Sequence, residues 1–246
     1  MTITALANTG FFLSGSRKNV LIDALHNKRI PPFYSVADDQ LNAMIKGEGA
    51  YQKVDLLLFT HEHRDHFDGD LVCRFLQQHP ETSLFATPHV LDALRQSRLY
   101  EKSFEARLHT KILSLHETAY LSVGGVDFFA TSLSHAGESF EDVVNYAYTV
   151  TVDEAFVFHC GDAAPNRENY EHSGIDQLDI TDALLDFPYV TLRSGRMVVS
   201  KWIQPKRIFL MHLPTPQEDQ YQWRKAIDKA LQDHQQDLPS VIIPEE

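Results

Sequence analysis

Cysteine is scarce: Cys73 and Cys160 are the only two in 246 residues, too few for a disulfide framework and without the paired spacing of a zinc finger. Such usage suits a reducing compartment. No apolar run approaches the roughly eighteen residues that a membrane span requires. The start Met1-Thr2-Ile3-Thr4-Ala5 also lacks a basic segment leading into an apolar stretch. A cytoplasmic protein with no membrane partner is therefore expected. Basic residues are in the minority, 22 Lys and Arg against 34 Asp and Glu, and the resulting charge of −12 would repel a phosphate backbone. Nucleic acid is disfavoured as a partner, but a small anionic substrate is not, because bound cations would reverse the local field. Low-complexity stretches, linkers and short-period repeats are missing too, which leaves residues 1–246 as a single expected domain. Nothing in the composition speaks to oligomeric state.

What is present is an ordinary globular mixture, with 43% apolar and 23% charged residues, so a substantial core is expected. Residues 3–7, 11–13 and 20–24 read as strands of an opening meander turned at Asn8-Thr9-Gly10. A helix is expected over 37–46, and a buried strand over 53–59 from the run Leu56-Leu57-Leu58-Phe59. Helices over 70–78 and 89–96 flank a strand at 83–86. A β-rich stretch then follows at 112–115, 119–123 and 126–131, with Gly124-Gly125 as a turn. Residues 145–153 alternate as a half-buried strand does, and 155–159 continue in strand form. The remainder reads as a helix over 190–203, a strand over 207–211, a helix over 218–232 and a closing strand at 241–243. Strands running into helices in both halves predict an α+β sandwich of two sheets.

Histidine is over-represented, with 13 residues, and imidazole is the side chain transition metals most often choose. Thr60-His61-Glu62-His63-Arg64-Asp65-His66 packs four ligand-type side chains into six residues directly after an apolar strand. In extended backbone His61 and His63 share a side and can reach one ion. Asp65 and His66 must come from a turning backbone and aim at a neighbouring position. The helical zinc-protease spacing fails, because Asp65 stands where its second histidine belongs. Four residues cannot complete two coordination shells, and three others stand just past apolar strands: His135, Asp162 in a Gly-Asp pair, and His212. Strand ends meeting along one edge would gather all seven on a rigid frame.

The ordered pattern His-x-His-x-Asp-His, then His, Gly-Asp and a late His resembles the metallo-β-lactamase fold superfamily, over almost the whole chain from Gly10 to His212. The resemblance implies a four-layer αβ/βα sandwich, two mixed sheets flanked by helices, with metals in a cleft at one edge. It also implies two divalent cations, the first on His61, His63 and His135, the second on Asp65, His66 and His212, with Asp162 bridging. Zinc is the default ion for so many imidazoles, and mixed ligation also admits manganese or iron. The expected enzyme is a dinuclear hydrolase in which a metal-bridged hydroxide cleaves a small ester, lactone or phosphoester, and Asp65 orients the nucleophile. Asp65-His66-Phe67-Asp68 lacks the Gly-Gly that often follows the motif in thioester hydrolases and quorum-signal lactonases, and looks closer to the ascorbate-phosphate lactonase and phosphodiesterase branch. Two rivals stay open. One is a non-catalytic metal-binding or regulatory protein; the other is a di-iron redox protein, whose relatives usually carry a flavin domain.

Other polar residues take blander readings. Asp23, closing a strand, reads as a structural hydrogen-bond acceptor beside the site. His26, Lys28, Arg29, Phe33 and Tyr34 read as a solvated loop, with a substrate-facing role as the alternative. Arg193 and Arg196 read as a solvated helix face. Cys160 reads as a small buried hydrophobe, and His116 as a spare polar residue at the rim. His79, His89, His109, His172 and His234 read as surface or capping residues.

Overall fold

A computed structural model describes residues 1–244. β1 (Thr2–Ala7), β2 (Gly10–Ser14) and β3 (Asn19–Ile22) form the expected antiparallel meander. β4 (Leu56–Phe59), β5 (Ser83–Ala86) and β6 (Leu108–His109) extend it in parallel to a six-stranded sheet in chain order. The second sheet has seven strands in the order β13-β12-β11-β10-β9-β8-β7. Its members are β7 (Thr118–Val123), β8 (Val126–Ser134), β9 (Val144–Val152), β10 (Ala155–His159), β11 (Asp182–Asp186), β12 (Arg207–Met211) and β13 (Ser240–Ile242). β7 to β10 pair antiparallel and β10 to β13 parallel, so both sheets are mixed.

Side-chain alternation divides the first sheet between two cores. Phe11, Leu13, Val20, Ile22, Leu56, Leu58 and Phe85 enter the core shared with Phe128, Tyr148 and Val150 of the second sheet. Their neighbours Phe12, Leu21, Leu57, Phe59 and Leu84 pack with the apolar faces of α1 (Asp38–Lys46), α2 (Gly69–Gln78) and α3 (Pro88–Arg95). A strand buried on both faces needs the unbroken apolar run that Leu56–Phe59 supplies. Helices α4 (Arg167–Tyr170), α5 (Pro188–Thr191), α6 (Arg193–Val198) and α7 (Trp223–Asp233) accompany the second sheet. Tyr189, Val198 and Ile227 from these helices join its core. The sheets are also tied at one rim, where Tyr148 donates to the Phe59 carbonyl at 2.7 Å and Tyr146 N donates to the Thr60 carbonyl at 3.0 Å. Among the described residues no helix is long and apolar enough to cross a membrane.

Several boundaries differ from expectation, each for a physical reason. Residues 112–115 are not a strand: Ile112 is 81% exposed and only Leu113 turns inward, its N–H held by the Tyr146 hydroxyl at 3.2 Å. The helix expected over 190–203 is three short pieces, because Leu192 is extended and a π-helical turn runs over Val199–Ile203. The helix expected from 218 begins at Trp223, where the Asp219 carboxylate caps the N–H groups of Trp223 and Arg224 at 2.7 and 2.8 Å. β11, with only Ala183-Leu184-Leu185 between two aspartates, was not expected. The loop after β3 is only partly solvated, since His26 is fully buried. His79 is buried as well, closing α2 while its Nε2 donates to the Met44 carbonyl at 3.0 Å.

Candidate metal centre

The motif begins where β4 ends. Past Phe59 the chain leaves extended geometry and turns, with His66 N and Phe67 N donating to the His63 carbonyl at 3.0 and 2.9 Å. Asp68 then starts α2, its carboxylate accepting from Asp70 N and Leu71 N at 3.0 Å each. His61 and His63, two residues apart, meet on one side with His61 Nε2 and His63 Nδ1 3.0 Å apart. Asp65 and His66, carried by the turn, face a second position next to the first.

The later residues arrive from other strand ends. His135 follows β8, Asp162 stands three residues past β10, and His212 follows β12. Ligand atoms of His61, His63, His135 and Asp162 lie within 4.8 Å of one another, as do those of Asp65, His66 and His212. Asp162 stands between the two groups, one oxygen toward each: Oδ2 is 3.4 Å from His135 Nε2 and 3.9 Å from His61 Nε2, and Oδ1 is 3.2 Å from His66 Nε2. His212 Nε2 is 3.6 Å from Asp65 Oδ2. All seven residues singled out from the sequence therefore share one pit.

A surrounding shell sets how the imidazoles present themselves. Asp23 accepts from Thr60 N at 2.9 Å, from Thr60 Oγ1 at 2.6 Å and from His66 Nδ1 at 2.8 Å. Having donated to Asp23, the Thr60 hydroxyl oxygen is left to accept from His61 Nδ1 at 3.0 Å. His135 Nδ1 donates to the Ala136 carbonyl at 2.7 Å. Three rings are thus anchored through Nδ1 and turn Nε2 inward. Asn8 and Thr9 of the first turn add to this shell, Asn8 Nδ2 donating to Asp65 Oδ2 at 3.2 Å and Thr9 Oγ1 standing 3.1 Å from His66 Nδ1. His159 lies beneath, its Nε2 donating to the Thr9 carbonyl at 2.8 Å and its Nδ1 accepting from Gly161 N at 3.0 Å. Gly161 is obligatory: its φ is +57°, and a Cβ there would stand 2.2 Å from Asn145 Oδ1, which itself accepts from Asp162 N.

Buried polar atoms nearly always find partners, yet His66 Nε2, His135 Nε2, His212 Nε2 and Asp162 Oδ1 are buried without a hydrogen bond. They converge on the pit, and bonds of about 2.0–2.2 Å from such N and O donors are what a divalent cation makes. The donor set fits a pair of such ions. Electrostatics is correspondingly polarised. Burial would raise the Asp162 carboxyl, but His66, His212 and His135 hold it well below the usual range. Burial would lower His66, but the Asp162 and Asp23 carboxylates hold it well above. His212 is likewise pushed up, against its burial, to about 9 by Asp162 and Asp65.

The pit opens into a cleft of about 380 Å³ walled by Ile30, Phe33 and Phe140, with Glu62 and Arg64 at its polar side. Phe33 stacks on His212 at 3.9 Å between ring centroids, so the loop after β3 does reach the site, through its apolar residues. Its cations do not line the cleft, and Arg29 pairs with Glu218 at 2.7 Å on the surface. Arg196 is structural, donating to the carbonyls of Val190 and Thr191. Cys160 is fully buried, and burial pushes its thiol well up. Asp186, at the end of β11, was missed because its strand was missed; it stands beside Asp162 and His212. His26 was misread as solvated: it is buried with neither ring nitrogen hydrogen-bonded, and burial together with nearby His66 lowers it to about 4.

A profile of the beta-lactamase superfamily domain matches residues 18–212. No curated protein sequence matches significantly. Among solved structures, the chain is similar to Igni18, a metallo hydrolase from the hyperthermophilic archaeon Ignicoccus hospitalis, with a TM-score of 0.62 and 16% identity over 99% of this chain and 94% of the other. An isothiocyanate hydrolase from Delia radicum gut bacteria aligns over 100% and 96% of the two chains at 17% identity and a TM-score of 0.62. CmlA, a diiron β-hydroxylase from Streptomyces venezuelae, aligns over 97% of this chain and 52% of its own at 13% identity and a TM-score of 0.64. Identities this low speak for the fold alone. The profile match spans most of the chain and holds every donor from His61 to His212, so the chain belongs to the beta-lactamase superfamily and has the metallo-β-lactamase fold.

Proposed function

We propose that this protein is a dinuclear metal-dependent hydrolase acting on a small ester, lactone or phosphoester. One observation carries the reading: seven ligand-type side chains from four strand ends converge, with His66 Nε2, His135 Nε2, His212 Nε2 and Asp162 Oδ1 buried and unpartnered and the rings of His61, His66 and His135 anchored through Nδ1. His61, His63 and His135 would hold one cation, Asp65, His66 and His212 the other, and Asp162 both. A bound pair of divalent ions supplies an ionised water near neutral pH and polarises the substrate oxygen. Asp65, fixed by Asn8 and held well below the usual carboxylate range despite its burial, stays ionised and orients the attacking water as a hydrogen-bond acceptor. Ile30, Phe33 and Phe140 shield the reacting centre from bulk solvent and fit a compact apolar substrate body.

Arg64, exposed at the cleft, favours an anionic substituent on that substrate. Together with the missing Gly-Gly after the motif, this favours a phosphoester or lactone over a thioester. Strand ends from both sheets meeting in one pit support residues 1–246 as a single catalytic domain, and two buried free cysteines suit a reducing cytoplasm.

The test is turnover of metal-loaded protein on phosphodiester, lactone, thioester and β-lactam panels. His63→Ala is expected to lose bound metal and activity together, and Cys73→Ala to keep both. Two retained ions with no turnover across the panels would favour a non-catalytic binding protein. Iron in protein prepared without added metal, with redox turnover, would favour the di-iron reading.

A further inference from the structure

Asp186 lies outside the seven. It ends β11, which is hydrogen-bonded between β10 and β12, the strands that lead to Asp162 and His212. It is 5% exposed, and its Oδ1 has no hydrogen-bond partner. Ligand atoms of Asp162, Asp186 and His212 lie within 4.8 Å of one another. Two carboxylates this close in a buried pit repel, and removing both from water adds to the cost unless a cation stands between them.

The two positions then differ in chemistry. The first offers three imidazoles and the Asp162 carboxylate. The second would be served by Asp65, His66 and His212 with Asp162, and Asp186, whose ligand atoms group with those of Asp162 and His212, would add a third carboxylate to its two imidazoles. Three carboxylates stand against the four positive charges of two divalent ions, and ionisation of one water closes the balance. Oxygen-rich sets suit harder cations such as Mn²⁺, whereas imidazole-rich sets suit zinc.

We propose that Asp186 is an oxygen ligand of the second position, and that this position discriminates far less against a hard cation such as Mn²⁺ than the three-histidine position does. The inference rests on the dinuclear reading above. Metal-free protein would receive one equivalent of Zn²⁺ and then a titration with Mn²⁺, followed by electron paramagnetic resonance and by metal content after desalting. Wild type is expected to retain zinc and take up one Mn²⁺. Asp186→Asn, which keeps the shape, is expected to retain zinc at unchanged affinity and to bind Mn²⁺ more than about 100-fold more weakly, beyond the loss typical of an outer hydrogen-bond partner. A smaller loss places Asp186 outside the coordination shell and overturns the assignment. Wild type that takes zinc at both positions yet no Mn²⁺ beside a single zinc overturns it as well, independently of how the variant folds. Wild type unable to hold a second cation of any kind would instead bring down the dinuclear reading.

Discussion

Asp23→Asn isolates the shell that aims the imidazoles. The carboxylate has three donors around it, with Oδ1 facing Thr60 N at 2.9 Å and Oδ2 facing Thr60 Oγ1 at 2.6 Å and His66 Nδ1 at 2.8 Å. An amide has only one acceptor end. A backbone N–H cannot reverse its role, so the amide oxygen must take the Oδ1 place and the NH₂ group the Oδ2 place. His66 Nδ1 then has to accept, which moves the ring proton to Nε2, the atom aimed at the second cation. Thr60 loses the acceptor for its hydroxyl. That unmade hydrogen bond is expected to cost about 1–3 kcal/mol of stability. The reversed imidazole is expected to weaken second-position binding roughly 10–100-fold, or about 1.4–2.7 kcal/mol. Titrating metal-free protein with Zn²⁺ against a chromophoric chelator resolves the two constants. The second should fall more than the first, which feels the change only through Thr60 and His61. A folded variant whose second constant equals that of wild type refutes the orienting role given to Asp23.

Other outcomes follow from the same geometry. Gly161→Ala should displace Asp162, because the new Cβ collides with the side chain that holds Asp162 N; metal binding is expected to be lost at both positions while the remaining core survives, as read by metal content and near-ultraviolet circular dichroism. In the metal-free protein His212 has a folded value of about 9 against 6.5 unfolded. Its contribution to stability is therefore complete below pH 6.5 and lost as pH rises through 9, visible as a falling Tm of chelator-treated protein over that window. Cation binding needs that nitrogen bare, so affinity should climb with pH over the same interval, with at least one proton released per protein near pH 7.5, measurable by calorimetry in buffers of different ionisation enthalpy. A flat affinity profile between these limits would contradict the placement of His212 in the pit.

The parts legible in the sequence were those written in short-range periodicity. The two-residue spacing of His61 and His63 marked them as a pair, although the backbone there has already left the strand, and the apolar runs ending at Ser134, His159 and Met211 marked where the later donors begin. What escaped depends on long-range contact. β11 is three apolar residues between two aspartates, a composition that disfavours a strand. It exists because strands flank it on both sides and Arg207 neutralises Asp182 at 2.6 Å. Losing that strand hid Asp186. The helical segment after it breaks at Leu192 because Gly195 must pack against Pro188 and Tyr189, where a Cβ would stand 2.4 and 2.5 Å from their atoms. The apolar alternation at 112–115 failed because no strand partners it beyond the Tyr146 hydroxyl. His26 carries no local mark of burial; a bridge between Leu25 and Phe67 draws it under the motif.

Anomalous diffraction from crystals of the metal-loaded protein, collected across the absorption edge of the bound metal, reads the central claim directly. It should show two peaks about 3.5–4 Å apart. The His61, His63 and His135 rings should surround one and Asp65, His66 and His212 the other, with the Asp162 carboxylate between them. A single peak, or peaks away from these side chains, would contradict the account.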